Sequence, residues 1–242
     1  MPDKRKHRGA HPADGELFSS NRLPLLREAV SDLSWLLTRG YSLNSSLKLA
    51  GDRYNLNERQ RSSLQKSACS DKQMEERTKK LVEPARISDE NLLIDGFNLI
   101  ITLEAALSGG VLLACRDSCI RDLASVHGSY RSVEETEDAI RLTGRFLAAK
   151  KPRSVKWLLD RPISNSGRLA HKITDIAVEN DWPWTVELVN SPDYVLSMSN
   201  DIVVTSDSVI LDKASRWLNL GNHIVRMYLS DAWIVDLGDK NG

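Results

Sequence analysis

Four aspartates stand at or just past the end of short apolar runs. Leu92-Leu93-Ile94 leads into Asp95. Val111-Leu112-Leu113-Ala114-Cys115 leads to Arg116-Asp117. Val155-Lys156-Trp157-Leu158-Leu159 leads to Asp160, and Ile202-Val203-Val204-Thr205 leads to Ser206-Asp207. A short apolar run bounded by turn residues reads as a buried strand of a parallel sheet. Open α/β sheets bind ligands outside the carboxyl ends of their strands. If the four strands share one parallel sheet, the four carboxylates line one edge. Each aspartate alone is also a fair helix cap. Gathered carboxylates repel one another and are costly to bury unpaired. A hard divalent cation, Mg²⁺ or Mn²⁺, offsets that cost through oxygen ligands. A metal site shared by Asp95, Asp117, Asp160 and Asp207 therefore explains the recurrence better than four separate caps.

A second group follows Asp160. Ser164, Asn165 and Ser166 precede an expected helix that opens near Arg168. A helix N-terminus at the carboxyl edge of a sheet is a ready anion site. Arg168 adds a charge-assisted contact, so these four residues are expected to bind a phosphate of RNA. Other chemistries find little support. The five histidines form no HxxxH pair, and Cys69, Cys115 and Cys119 form no CxxC motif, which argues against zinc. No Ser/His/Asp or Cys/His set suits a side-chain nucleophile. Three cysteines make no even disulfide framework, so the thiols are expected to be reduced and the protein cytoplasmic. No apolar run is long enough to cross a membrane, and the basic N-terminus lacks the apolar core of a signal peptide.

The elements that must position these residues fall into two textures. Residues 1–21 are polar and begin with a basic cluster, the composition of a disordered tail. Residues 22–82 read as a small all-helical module: apolar residues recur at helical spacing over 25–37, Gly40 closes that helix, and further helices fit 45–54, 58–68 and 70–80. This module is expected either to be a separate, helix-turn-helix-like unit that adds affinity for a nucleic-acid backbone or to be a compact bundle docked on the second domain. Glu83-Pro84-Ala85-Arg86 marks the boundary. Residues 88–242 alternate strand and helix, with strands at 92–94, 111–115, 154–159, 184–189 and 202–205. A loop is expected over 118–131, a helix from Asp207 to about 220, and short strands at 225–228 and 233–237, paired at an edge. The fold class is α/β, a three-layer sandwich with a mostly parallel sheet behind a helical module.

The 242 residues are ordinary for a soluble globular protein, with 41% hydrophobic and 27% charged residues. Net charge is zero but uneven. Residues 1–90 carry 17 Lys and Arg against 13 Asp and Glu, and residues 91–242 carry 16 against 20. That asymmetry permits nucleic-acid contact without requiring it.

Asp95-Gly96-Phe97-Asn98 after an apolar strand resembles the opening Asp-Gly-Tyr-Asn of NYN nucleases, within the PIN-like nuclease group. Thr205-Ser206-Asp207 followed by Ser208-Val209-Ile210-Leu211 resembles the late Thr-x-Asp motif of that group. With its helical front end, the chain is similar to an uncharacterised prokaryotic family, domain of unknown function 434, in which a small helical domain precedes a PIN-like domain. The resemblance implies a Rossmann-like, metal-dependent ribonuclease fold. It makes Asp95 and Asp207 the early and late metal-binding aspartates, Asn98 the residue that orients Asp95, and Asp160 the acid of the middle strand. Glu135 and Glu137 are the candidates for the helix glutamate of that group.

The function expected is endonucleolytic hydrolysis of RNA with Mg²⁺ or Mn²⁺. Asp95, Asn98, Asp160 and Asp207 form the catalytic set, RNA is the partner, no membrane is involved, and a homodimer is the assembly to test. The rival is an inactive RNA-binding or scaffolding protein on the same fold. A phosphatase of the haloacid dehalogenase type also begins with a strand-end aspartate. It needs a second acid two residues on, where this chain has Phe97.

Overall fold

The computed structural model describes residues 7–124 and 130–238. Residues 1–6, with most of the basic cluster, and residues 125–129 of the expected loop (His127 and Gly128 among them) lie outside the described residues, as do 239–242.

The front of the chain is helical: α1 (Asp14–Leu17), α2 (Leu23–Thr38), α3 (Leu43–Arg53), α4 (Glu58–Ser67) and α5 (Asp71–Lys80). Local chemistry sets these boundaries. The Ser42 side chain accepts from the Ser45 amide at the start of α3, and Asn57 and Ser70 open α4 and α5 with capping boxes closed by Gln60 and Gln73. Gly40 leaves α2 with φ +83°, a conformation that favours glycine. The expected disorder of residues 1–21 fails for residues 7–21. Phe18 is buried, and the buried Asp14 carboxylate accepts from Arg59 of α4 at 2.8 Å. Polar composition concealed this, because the charge is paired inside rather than solvated.

The remainder runs β1 (Asn91–Asp95), α6 (Gly96–Leu107), β2 (Leu112–Ala114), β3 (Ile120–Asp122), α7 (Thr136–Lys150), β4 (Ser154–Asp160), α8 (Ser166–Glu179), β5 (Trp184–Val189), α9 (Pro192–Ser197), β6 (Ile202–Val204), α10 (Ser208–Lys213), β7 (Trp217–Leu218), α11 (Leu220–Tyr228) and β8 (Ile234–Asp236). A five-stranded parallel sheet has the order β5-β4-β1-β6-β7. The two-residue period of a strand sends Leu92, Ile94, Val155, Trp157, Ile202 and Val204 to one face, into a core with α6, α7, α8 and α11. Leu93, Leu158 and Val203 point the other way, onto Leu196 of α9 and Ile210 of α10. The result is a three-layer sandwich.

Two expectations are corrected. First, β2 is not in that sheet; it pairs antiparallel with β3 and parallel with β8 in a second, three-stranded sheet. Second, the helix after Asp207 ends at Lys213. α11 replaces the strand expected at 225–228, with Gly221 inside it, and β8 pairs with β2 rather than forming an edge pair. In α11 the buried residues Leu220, Ile224 and Val225 have helical spacing, which a four-residue window cannot distinguish from a strand.

The small sheet is a wall between two cores. Leu112 and Ile120 face the α/β core, whereas Val111, Leu113, Cys115, Val235 and Leu237 face Leu26, Leu33, Leu64 and Phe18 of the helical region. Covered on both faces, β2 reads as an unbroken apolar run, the pattern a central parallel strand also has. The helical region is thus half of a shared core. A chain shortened to residues 84–242 bares that face and is expected to lose its cooperative thermal transition, read by circular dichroism. A sharp transition in the shortened chain would make the helical region a dispensable attachment.

Candidate functional site

Strand β1 is central, and the chain departs from it in both directions, to β4 and β5 on one side and to β6 and β7 on the other. That is a topological switch point, where open sheets leave a crevice at their carboxyl edge. Asp95 is the last residue of β1 and Asp160 the last of β4, while Asp207 lies three residues beyond the end of β6.

Register brings the two motifs together. Ile94 pairs with Val204, so Asp95 and Thr205 follow side by side, and the Thr205 hydroxyl donates to Asp95 Oδ2 at 2.8 Å. The Thr205 hydroxyl oxygen in turn accepts from the Asp207 amide at 3.0 Å. Asn98 Oδ1 accepts from the Ser206 amide at 2.8 Å and from its hydroxyl at 3.0 Å. Asp207 Oδ1 caps α10, accepting from the Val209 amide at 2.7 Å and the Ile210 amide at 3.2 Å. The Asn98 side chain therefore ties the late motif to α6, while the Thr205 hydroxyl and the Asn98 backbone amide hold the Asp95 carboxylate. Gly96 lets α6 leave β1 this closely. A Cβ there would lie 2.9 Å from the Leu158 carbonyl oxygen and 2.5 Å from Leu159 Cδ2.

The electrostatics are those of crowded carboxylates. Burial first, and then the Asp207 and Asp193 charges, push Asp95 up to about 7, against the lowering effects of the Thr205 hydroxyl and the Asn98 amide. Asp160 is raised by burial and by Asp193, and Asp193 by burial and by Asp207. Asp193, in the first turn of α9, is a member that sequence reading missed. The rule that found the others took acids at or just past the end of an apolar run, and Asp193 follows β5 by four residues, inside the next helix. Among the described residues, no three His, Cys, Asp or Glu side chains approach closely enough to hold a metal ion by themselves.

The family described as "Domain of unknown function (DUF5616)" matches residues 84–223. The chain belongs to the DUF5616 family. A second family, described as "Protein of unknown function (DUF434)", matches residues 25–80. The chain is 32% identical over 186 residues to "Uncharacterized protein MJ0935" of Methanocaldococcus jannaschii, covering 77% of this chain and 88% of that protein. No solved structure matches. The DUF5616 range thus contains Asp95, Asp160, Asp193 and Asp207, and the DUF434 range contains α3 to α5 and most of α2.

Other expected site residues are used differently in this DUF5616 chain. Asp117 sits in the turn between β2 and β3, where it accepts from Arg77 at 2.6 Å and from two nitrogens of Arg121 at 2.6 and 2.9 Å. Burial works to raise its pKa, but Arg121 and Arg77 outweigh it and hold the carboxyl at about 2. With both oxygens occupied by arginine, Asp117 is an ion-pair residue rather than a metal ligand. Asn165 takes φ +68° and donates to the Tyr130 carbonyl at 2.7 Å, the Ser166 hydroxyl donates to the Arg161 carbonyl at 3.4 Å, and the Ser164 carbonyl accepts from the Tyr130 amide at 3.3 Å. Local hydrogen bonds thus engage the side chains of Asn165 and Ser166, and of Ser164 the backbone carbonyl. Arg168 is exposed and borders an open groove of 370 Å³ with Glu137, His171, Lys172 and Glu179. Glu137 pairs with Arg141 at the surface, and the half-buried Glu135 pairs with His7. A buried acid of the α/β helices is Glu104 in α6, bound by Arg8, by the Tyr130 hydroxyl at 2.5 Å and by the Thr136 hydroxyl at 2.5 Å. No helix among the described residues is long and apolar enough to cross a membrane.

Two outcomes follow from Asp95. Replacing Thr205 with Val removes a hydrogen bond that lowers its pKa, so a carboxyl-resolved NMR titration should show a midpoint above about 7. A folded-state pKa above the unfolded value of about 3.9 means that stability contributed by the protonated form is lost as pH rises from about 4 to about 7. Asp95→Asn escapes that loss. Without metal it should match wild type in denaturant unfolding near pH 4 and exceed it near pH 8 by on the order of 2 kcal/mol, after discounting for solvent screening.

Proposed function

We propose that this protein is a metal-dependent, PIN-like ribonuclease of the NYN kind, acting in the cytoplasm and hydrolysing RNA phosphodiester bonds at the carboxyl edge of β1, β4 and β6. The observation that carries this reading is Asp95 itself. It is a carboxylate at the end of the central strand, held by Thr205 and raised to about 7 by burial and by neighbouring carboxylates. A cation at that edge relieves the repulsion.

The donor set suits a hard cation, Mg²⁺ or Mn²⁺, since it consists of carboxylate and hydroxyl oxygens without sulfur or imidazole. Mg²⁺ keeps several waters and takes one or two carboxylates together with substrate phosphates, so it does not need three close protein ligands. Asp95 and Asp207 would hold it, with Asp193 and Asp160 at the rim. When bound, such an ion lowers the pKa of a water and stabilises charge on phosphoryl oxygens. Thr205 fixes Asp95 Oδ2 and so sets the orientation of the carboxylate. The N-cap bonds fix one oxygen of Asp207 and orient the other. Arg168, exposed at the start of α8, is the remaining candidate for a backbone phosphate.

A second reading is an inactive RNA-binding or scaffolding protein. It is favoured by the absence, among the described residues, of three close ligands, and by the internal use of the Asn165 and Ser166 side chains.

The test is cleavage of RNA and DNA oligonucleotides by the purified protein with Mg²⁺, Mn²⁺ or chelator. RNA cleavage should require metal, and Asp95→Asn should lower it by at least about 100-fold while leaving the fold intact. Added Mn²⁺ should raise the melting temperature of wild type more than that of the variant. Equal metal stabilisation of both proteins would remove Asp95 from the site.

A further inference from the structure

The turn that carries Thr205 and Asp207 is held from outside its own sheet. The Ser206 carbonyl accepts from Arg121 Nε at 2.7 Å, and the Ser208 carbonyl accepts from Arg77 at 3.2 Å. These carbonyls flank Asp207 on either side. The two arginines are joined by Asp117, which binds both at 2.6 Å and also accepts from the Cys119 amide at 3.2 Å. Arg121 further donates to the Lys66 carbonyl at 2.9 Å, and Arg77 Nε donates to Asp212 in α10 at 2.8 Å. The Arg77 carbonyl accepts from the Trp217 indole at 2.8 Å. Arg77, Asp117 and Arg121 are all buried, so each charge depends on the others for compensation.

We infer that Arg77, Asp117 and Arg121 form a positioning clamp for the 205–208 turn, and that α5 of the helical region is therefore a working part of the candidate site. The chemistry favours arginine here. One planar guanidinium reaches a carboxylate, a carbonyl and a second carboxylate at fixed angles, which the single ammonium of lysine does not. The clamp fixes the Asp207 backbone, and through the Asp207 amide and Thr205 hydroxyl it fixes the Asp95 carboxylate. Arg77 lies within the DUF434 match, and the atoms it positions lie within the DUF5616 match. The clamp thus gives a physical reason for the two regions to occur in one chain. Its geometry stands alone, and its functional consequence rests on the ribonuclease reading.

The experiment uses the full chain with Arg77→Lys, which keeps a positive charge opposite Asp117 but loses the fork. Amide hydrogen exchange is followed by NMR at Asp207 and Val209, with Leu93 and Trp157 as core references. Exchange at Asp207 and Val209 should accelerate about tenfold while the core references hold, since a charge-assisted hydrogen bond restrains the turn. Unchanged exchange at the turn would overturn the clamp. Should Arg77→Lys fail to fold, Asp212→Ala loosens the outer end, where Asp212 is 35% exposed, and the same local acceleration is expected. Loss of core protection in both variants would overturn the inference, leaving Arg77 with a purely structural role. In the cleavage assay with Mn²⁺, the variant should lose about tenfold in kcat with KM nearly unchanged, because substrate-binding groups are untouched. Absence of cleavage by wild type would defeat the ribonuclease reading while the exchange result still decides the clamp.

Discussion

The Thr205 hydroxyl is the point on which the candidate site turns. Its oxygen accepts from the Asp207 amide, and that bond directs its one proton away from Asp207 and toward Asp95. Both motifs are thereby tied through a single atom. The arrangement requires the parallel register of β1 and β6, since a slip of one residue would turn Thr205 to the opposite face of the sheet. It also requires the close departure of α6 at Gly96, where any side chain would strike the Leu158 carbonyl.

Around that point the molecule distributes its charge unevenly. At the carboxyl edge, carboxylates face one another with no arginine among the influences that shift Asp95, Asp160 or Asp193, and all three are raised. Beside the edge, behind the 205–208 turn, two arginines converge on Asp117 and lower it. The same residue type thus performs opposite tasks in neighbouring places. Asp117 gives up affinity for a cation in order to organise two cations of its own chain. The small sheet makes this possible, because β2 and β3 carry Asp117 and Arg121 between the helical region and the main sheet.

Much of this was legible in the sequence, for identifiable reasons. Helices α2 to α5 announced themselves through Gly40, Asn57, Ser70 and an amphipathic stripe, all of which act locally. Asp95 and Asp207 were legible because a strand-end acid and the turn after it are local patterns too. Asp117 was misread because β2, buried on both faces, has the apolar texture of a central parallel strand, and only its pairing with β8, more than 110 residues later, distinguishes the two. Arg77 and Arg121 could not be found this way, since nothing local marks an arginine that meets its aspartate across two elements. Asp193 lay within reach, had acids been sought a few residues past each strand.

The most direct measurement is a crystal structure of the full chain grown with Mn²⁺, with anomalous scattering recorded at the manganese edge. The expected result is an anomalous peak within about 2.0–2.6 Å of an oxygen of Asp95 or Asp207, with waters completing the shell. The contradicting result is a well-ordered site without such a peak at saturating Mn²⁺, with Asp95 still bonded to Thr205, or a peak confined to the groove beside Glu137 and Glu179.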